Sequence, residues 1–521
     1  MFDYVIIGAG SAGCVMANRL SADGTKKVAL IEAGSKDWHP FIKIPAAFFH
    51  LFESKHDWAY YSSPQQTLNG RRLFMPRGKV WGGSSSINAM IYIRGHKEDF
   101  DEWEREGCKG WSYQDVLPYF LKSENNQRFS NYYHSQQGEL FVSDPINTNP
   151  LTDVFIQACK TQGIRFNEDF NGEEQEGAGY FQTTTINGRR WSSADAFLKP
   201  ALKRPNLHVI SKAYVTRIHF SGGKATSIEY IQGNESKSLS ISNKLILCGG
   251  AINTPQLLLL SGIGPGDELQ KLGIPVIKDL PVGKNLQDHP VVPFIFSCTQ
   301  NITLDTQETL WNLLKYIFTK KGPFTSNIAE AGGFFKSNPY LPAPDLQLHF
   351  GSVFFIDHGR TRPKGNGFSV APILVKPKSR GTIKLKSANP MDYPIIDQNF
   401  FSEPDDMQAL IAGSKKTIDI LLSEPFAPFR KNWFLPDRLV QTDEEIESHI
   451  QQTVEALYHP VSTCKMGTDS TCVTNPDLTL KGFENVFIAD ASVMPSVTRG
   501  NTNAPTYMIA EKGASMILNS N

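Results

Sequence analysis

Short apolar runs open the chain. Tyr4-Val5-Ile6-Ile7 and Val28-Ala29-Leu30-Ile31 are unbroken by polar residues, the texture of strands buried on both faces in a parallel sheet. Between them Val15, Met16 and Leu20 share one face at helical spacing. The first 33 residues therefore predict a strand, a helix and a second strand.

The texture returns later. Lys244 to Cys248 reads as a buried strand running into Gly249-Gly250-Ala251, and Thr254-Pro255 starts an apolar helix that stops at Ser261-Gly262. Before it, 214–220 and 227–231 alternate around Gly222-Gly223, as hairpin strands do. A helical pattern covers Leu151 to Cys159. Val486 to Ala489 predicts another buried strand, and Ala504 to Leu518 a helix. From about 291 to 454 the pattern changes to alternation (Leu346, Leu348, Phe350; Ile383, Leu385) with many prolines, which predicts an antiparallel sheet. Amphipathic helices are expected over it at 404–422 and 443–457.

The expected fold class is α/β. A Rossmann-like dinucleotide-binding domain with a parallel sheet occupies 1–290, with insertions from the other domain around 150–200. An α+β substrate domain built on the antiparallel sheet follows at 291–454. Residues 455–521 return to the first domain.

Charge narrows the partners. Lys+Arg and Asp+Glu are both 52, so no excess positive charge exists to neutralise a nucleic acid. Seven scattered cysteines form no C-x-x-C pair, which suggests reduced thiols and a cytoplasmic location. The first strand starts at residue 4, leaving no room ahead of it for a signal peptide. No run reaches the ~18 apolar residues of a spanning helix. Leu310 to Phe318, followed by Lys320-Lys321, fits a helix at a membrane interface. A packed helix or funnel-rim segment is the preferred reading, because the basic face is small. Peripheral attachment to the inner face of the cytoplasmic membrane is the alternative to a free cytoplasmic protein.

Candidate chemistry starts at Gly8-Ala9-Gly10-Ser11-Ala12-Gly13, a G-x-G-x-x-G between the first strand and its helix. Gly8 permits the tight turn, Gly10 lets the backbone approach a pyrophosphate, and Gly13 lets the helix pack on the strand. The helix start offers free N–H groups, Ser11 and Ala12 among them. Glu32, followed by Ala33, ends the second strand and suits adenosine ribose hydroxyls. The unit implies an adenine dinucleotide without separating FAD from NAD. A second loop, Gly82-Gly83-Ser84-Ser85-Ser86 between Val80-Trp81 and Ile87, suits backbone folded against a flat ligand. No second ligand pair stands near His289 at metal spacing, and the serines lack the strand–turn–helix setting of a hydrolase nucleophile. Nothing in this pattern supports a metal site.

Four blocks, taken together, resemble the glucose–methanol–choline oxidoreductase family. They are the Gly8–Glu32 unit, Gly78 to Asn88, Gly250-Ala251-Ile252-Asn253-Thr254-Pro255 through Gly264, and a C-terminal part. The last holds Tyr458-His459-Pro460, Ile488-Ala489-Asp490-Ala491 and Gly500 to Thr506. Asn69-Gly70-Arg71, Tyr92 to His96 and Gln287-Asp288-His289 look most like bacterial FAD-dependent aliphatic alcohol dehydrogenases, and choline dehydrogenases share most of them.

The resemblance implies FAD, an alcohol substrate, and a quinone-like acceptor or O2. It also implies a neutral histidine base, His459, with Asn503 as the amide on the substrate oxygen. Gly82, Gly83, Ser84, Asn88, Ala89, Met90, Val215, Asp490, Ala491 and Thr506 are expected around the cofactor. Asp490 has a helix cap as its alternative, and Val215 ordinary core. Some relatives carry a flavin-linking histidine where this chain has Ile87, so FAD is expected to be non-covalent. Glu330 is a candidate for attracting a quaternary ammonium substrate, a structural ion pair being the alternative. Rival readings are choline dehydrogenase, an aryl- or furfuryl-alcohol oxidase, a hydroxynitrile lyase-like enzyme, and a non-catalytic FAD protein.

Overall fold

A computed structural model describes residues 1–520. The opening apolar runs form the centre of a parallel sheet. Its strands lie in the order Leu207–Ser211, Val28–Glu32, Phe2–Ile7, the end of Glu235–Leu247, and Val486–Ile488. Val5, Ile6, Leu30 and Leu245 are fully buried, with the helix Ser11–Leu20 against Phe2–Ile7 and Val28–Glu32, and Ala213–Ser221 against Val28–Glu32. Ser11–Leu20 packs against the C-terminal helix Asn503–Asn519. Gly513 permits the approach, since a Cβ there would lie 2.8 Å from Met16 Cε.

The strand Glu235–Leu247 is longer than the parallel sheet. Its first half pairs with Lys224–Gln232, which pairs in turn with Ala213–Ser221. Gly222 (φ +55°) and Gly223 (φ +74°) close that hairpin, as its right-handed twist requires.

A second, antiparallel sheet runs Arg430–Leu435, Phe294–Cys298, Gly367–Leu374, Leu346–Gly351, Ala331–Phe335 and Gly177–Tyr180. Leu346, Leu348 and Phe350 all face its core, where Pro404–Leu422 covers the sheet with Leu410 and Ile411. Ile383 lies instead in a two-stranded ribbon, Thr382–Lys384 with Ile395–Asp397. The helix expected to reach residue 457 ends at Thr453. Glu455–Ala456 then pairs antiparallel with Pro290–Val291 at the margin of this sheet. All seven cysteines are free and buried.

Candidate active site

One cavity of about 340 Å³ runs from the Gly8 loop to the antiparallel sheet. At the first end, glycines set its shape. A Cβ on Gly8 (φ +97°) would lie 2.5 Å from the Cys248 carbonyl oxygen, and one on Gly83 would lie 2.6 Å from Gly10 Cα. Two loops thus touch backbone to backbone. Gly10, Gly83 and Ser84 line the cavity. Gly13 does not; its Cβ would fall 1.8 Å from the Gly8 oxygen, so only glycine lets this helix sit on its strand. Gly82 lies just off the cavity lining, with its N–H on the Ala9 carbonyl at 2.8 Å. Gly10 caps the helix without a side chain, leaving the first N–H groups, at cavity-lining Ser11 and Ala12, without intrahelical acceptors.

Glu32 is buried at the cavity wall beside Ala33 and Val215. Its Oε2 accepts from Ala9 N at 2.8 Å and its Oε1 from Gly34 N at 2.7 Å. Each oxygen keeps a lone pair for a ligand hydroxyl. Burial raises its pKa to about 7, against those two hydrogen bonds.

Asp490, buried beside Ala491 on the cavity wall, accepts from Gly250 N (2.8 Å), Thr254 Oγ1 (2.7 Å) and Ser492 N (2.8 Å). It therefore caps the short helical turn Ala491–Val493 and ties it to the helix Gly250–Leu260. Asn88, Ala89, Met90 and Thr506 line the middle of the cavity. Asn88 Oδ1 accepts from Arg190 Nη1 at 2.6 Å, and Met90 holds φ +62°. Thr506 Oγ1 donates to the Thr502 carbonyl at 2.8 Å. Ile87 lies on the wall as well.

At the far end the pairing of 287–291 with 455–461 brings two histidines together. Leu457 N donates to the His289 carbonyl at 2.9 Å, and Val461 N to that of Gln287 at 3.0 Å. His289 Nδ1 then stands 3.0 Å from His459 Nδ1. Asp288 Oδ1 accepts from both His289 N and His459 N at 2.8 Å. On the other side of the ring, His459 Nε2 stands 3.2 Å from Asn501 Nδ2.

Asn503, expected as the amide on the substrate oxygen, lines the same cavity as Asn501. Asn503 begins the C-terminal helix, and its Oδ1 accepts from Ser11 Oγ at 2.6 Å. Asn501, in the Gly500 turn two residues earlier, is the amide that meets His459. The only signal for it was membership of the same polar turn.

His459 is buried, and its pKa is driven well below the ordinary value by burial first, then by His289, His349 and Arg77. It is neutral at neutral pH. His349 is a cavity-wall histidine that sequence reasoning missed; burial takes its pKa to about 3. Burial raises the Asp288 carboxyl to about 7, with Arg77 and the backbone bonds opposing.

Glu330 does not reach the cavity. It is buried, accepting from Asn149 N (2.7 Å), Thr152 Oγ1 (2.7 Å) and Ser326 Oγ (2.6 Å). It ties the start of the helix Pro150–Thr161 to the segment 326–330, away from the cavity lining. The ion pair offered as its alternative is absent too, since all three partners are neutral.

An elongated cavity, a glycine cradle, an uncapped helix start and a buried acid fit an adenine dinucleotide with a flat ring near His459. The GMC oxidoreductase N-terminal model matches residues 2–291 and the C-terminal model residues 377–510. The chain belongs to the GMC oxidoreductase family. Its cofactor is accordingly FAD. The GMC chain is 47% identical over 99% of its length to an alcohol dehydrogenase [acceptor] of Pseudomonas putida, covering 96% of that protein. It is 42% identical to a mitochondrial choline dehydrogenase of Homo sapiens, over 99% of this chain and 89% of the relative. Among solved structures it is similar to pyridoxine 4-oxidase from Mesorbium loti. There the TM-score is 0.92 and the identity 29%, covering 100% of this chain and 99% of that one.

Proposed function

We propose that this GMC oxidoreductase oxidises a primary alcohol to the aldehyde and passes the electrons to a quinone-like acceptor or O2. In this reading residues 1–290 and 455–521 hold non-covalent FAD, and 291–454 the alcohol. Bound FAD supplies the hydride acceptor. The chain's own residues handle the proton and the oxygen. Neutral His459 presents Nε2 to the cavity and takes the hydroxyl proton. Asn501, its neighbour at 3.2 Å, donates from Nδ2 to the oxygen as charge develops there. That pairing of an imidazole lone pair with an amide donor carries the reading.

The walls at this end favour an apolar alcohol. Val291, Pro293, Ile328, Phe355 and Ala371 line the cavity beside the antiparallel sheet. Glu455, a carboxylate on the same side, is engaged by Arg71 at 2.9 Å and His358 at 3.1 Å. A quaternary ammonium would meet no free anion at Glu455, so choline is the weaker substrate here.

The test is an anaerobic titration of the yellow protein with 1-octanol, benzyl alcohol and choline in turn. The expected result is bleaching of the flavin band, fastest with octanol. Fastest bleaching by choline would reassign the substrate. No bleaching by any of them would overturn alcohol oxidation in favour of the lyase-like or non-catalytic readings. Readmitting air separates O2 from other acceptors by the rate at which the colour returns.

A further inference from the structure

The helix Leu310–Thr319 turns its apolar residues the wrong way for a core element. Its inner side is modest: buried Tyr316 and half-buried Leu313 rest on Ile44, Ala47 and Phe324. Its outer side carries Leu310 (73% exposed), Trp311 (76%), Leu314 (38%), Ile317 (48%) and Phe318 (81%). Positions i, i+1, i+4, i+7 and i+8 form one stripe along roughly 15 Å of helix. A tryptophan and a phenylalanine left in water on one stripe mark an interaction face.

Cations rim this stripe. Exposed Lys315 flanks it on the helix, and Lys320 and Lys321 follow its C-terminal end. Exposed Arg189 joins them, because the neighbouring Gly188 turn packs on the Lys320 carbonyl; a Cβ on Gly188 would lie 2.4 Å from that oxygen. Glu308, the one acid between Thr306 and Ala329, is taken by Arg362 at 2.7 Å. Among the described residues no helix is long and apolar enough to cross a membrane.

We propose that the 310–319 helix docks the protein on an anionic lipid surface. The apolar stripe enters the acyl boundary, while Lys315, Lys320, Lys321 and Arg189 meet the headgroups. A second copy of the chain fits this face less well, since a two-fold contact would bring the cationic rim against itself.

The segments on either side of the helix, Gln307 and Glu308 before it and Pro323 and Phe324 after it, line a smaller cavity of about 80 Å³ together with Ile328 and Phe355. Ile328 and Phe355 line the main cavity as well. The two cavities therefore share a wall between the flanks of the docking helix and the His459 cavity, the side from which an alcohol or acceptor dissolved in the bilayer would enter. That entry rests on the proposed alcohol oxidation; the docking does not.

The test is co-sedimentation of the FAD-bound protein with vesicles of phosphatidylcholine alone and of phosphatidylcholine mixed with phosphatidylglycerol. The wild type is expected to sediment with the anionic vesicles and to be released by added salt. The triple variant Trp311→Glu, Leu314→Glu, Phe318→Glu should bind at least about tenfold more weakly. The same should hold for Lys315→Gln, Lys320→Gln, Lys321→Gln, while both variants keep their flavin spectrum and melting temperature. Wild-type protein left in the supernatant with every vesicle overturns the proposal. So does a wild-type dimer that the first triple variant converts to monomer without any vesicle binding.

Discussion

His289 Nδ1 and His459 Nδ1 face each other across 3.0 Å, though 170 residues separate them in the chain. One of the two nitrogens carries the proton. The other nitrogen of His289, Nε2, is buried without a well-formed partner, and the Val375 carbonyl adjoins this ring. A carbonyl beside the ring favours a proton on the ring's free nitrogen, Nε2. His289 Nδ1 is then an acceptor, His459 Nδ1–H donates to it, and the His459 Nε2 lone pair points at Asn501 and the substrate. His289 is a positioning residue in this arrangement. His289→Leu should slow flavin reduction by alcohol about 10- to 10²-fold, whereas His289→Gln, whose amide oxygen can accept from Nδ1–H, should recover most of it. Anaerobic stopped-flow reduction checks this. Equal losses in the two variants would show that only the packing of His289 matters.

The two asparagines make separable predictions. Asn501→Ala should lower the reduction rate about 10²-fold, the usual cost of removing a donor from a developing oxyanion. Asn503→Ala should leave that rate within about threefold and cost about 1 kcal/mol of stability through the lost Ser11 bond. Single-turnover reduction and urea unfolding, done on both variants, distinguish them; the reverse pattern restores Asn503 to the oxygen.

His459 itself sets the scale. His459→Ala should retain bound FAD and lose about 10²- to 10⁴-fold in flavin reduction by alcohols. A rate within about threefold of wild type would falsify the base assignment.

Glu330→Gln tests a structural role against a substrate role. One amide oxygen replaces two carboxylate oxygens that accept three donors, so the variant should lose about 2 kcal/mol. The KM for choline should not change. A selective rise in that KM, at unchanged stability, would mean that the carboxylate reaches the substrate.

Acid sensitivity has a measurable component at His449. It is mostly buried against Phe294, with Nε2 3.1 Å from the Pro293 carbonyl, and burial lowers its pKa from 6.5 to about 4. As pH falls below 6.5 the unfolded chain takes up this proton first. The stability contributed by the neutral ring is therefore complete above 6.5, declines between 6.5 and about 4, and is gone below that. The stability difference between wild type and His449→Gln should shift toward the variant by up to about 3 kcal/mol across this window. Urea midpoints at pH 7, 5 and 4 measure it, and a pH-independent difference would refute it.

Legibility of the site follows the distance between its parts. The Gly8–Glu32 unit was readable because consecutive residues do its work: two apolar runs, a turn that excludes a Cβ, and an acid at a strand end. The same local logic located the hairpin at Gly222-Gly223 and the helix Pro404–Leu422. Helix ends set by pairing were not readable. Glu455 and Ala456 continue an apolar rhythm that suits a helix, and only the strand Pro290–Val291 beside them draws them into a sheet.

What the amino-acid sequence determined by itself is the family, the dinucleotide cradle and His459 as the base candidate, since each rests on neighbouring residues or on blocks in order. Tertiary structure alone decided which amide meets that histidine, what holds its ring, and that Glu330 is a structural tie. Asn501 and Asn503 differ only in where the C-terminal helix begins and how it is turned against Ser11. His289 reaches His459 only because two distant segments pair. A side chain's direction depends on the packing of elements remote in the chain, and local pattern carries no record of it.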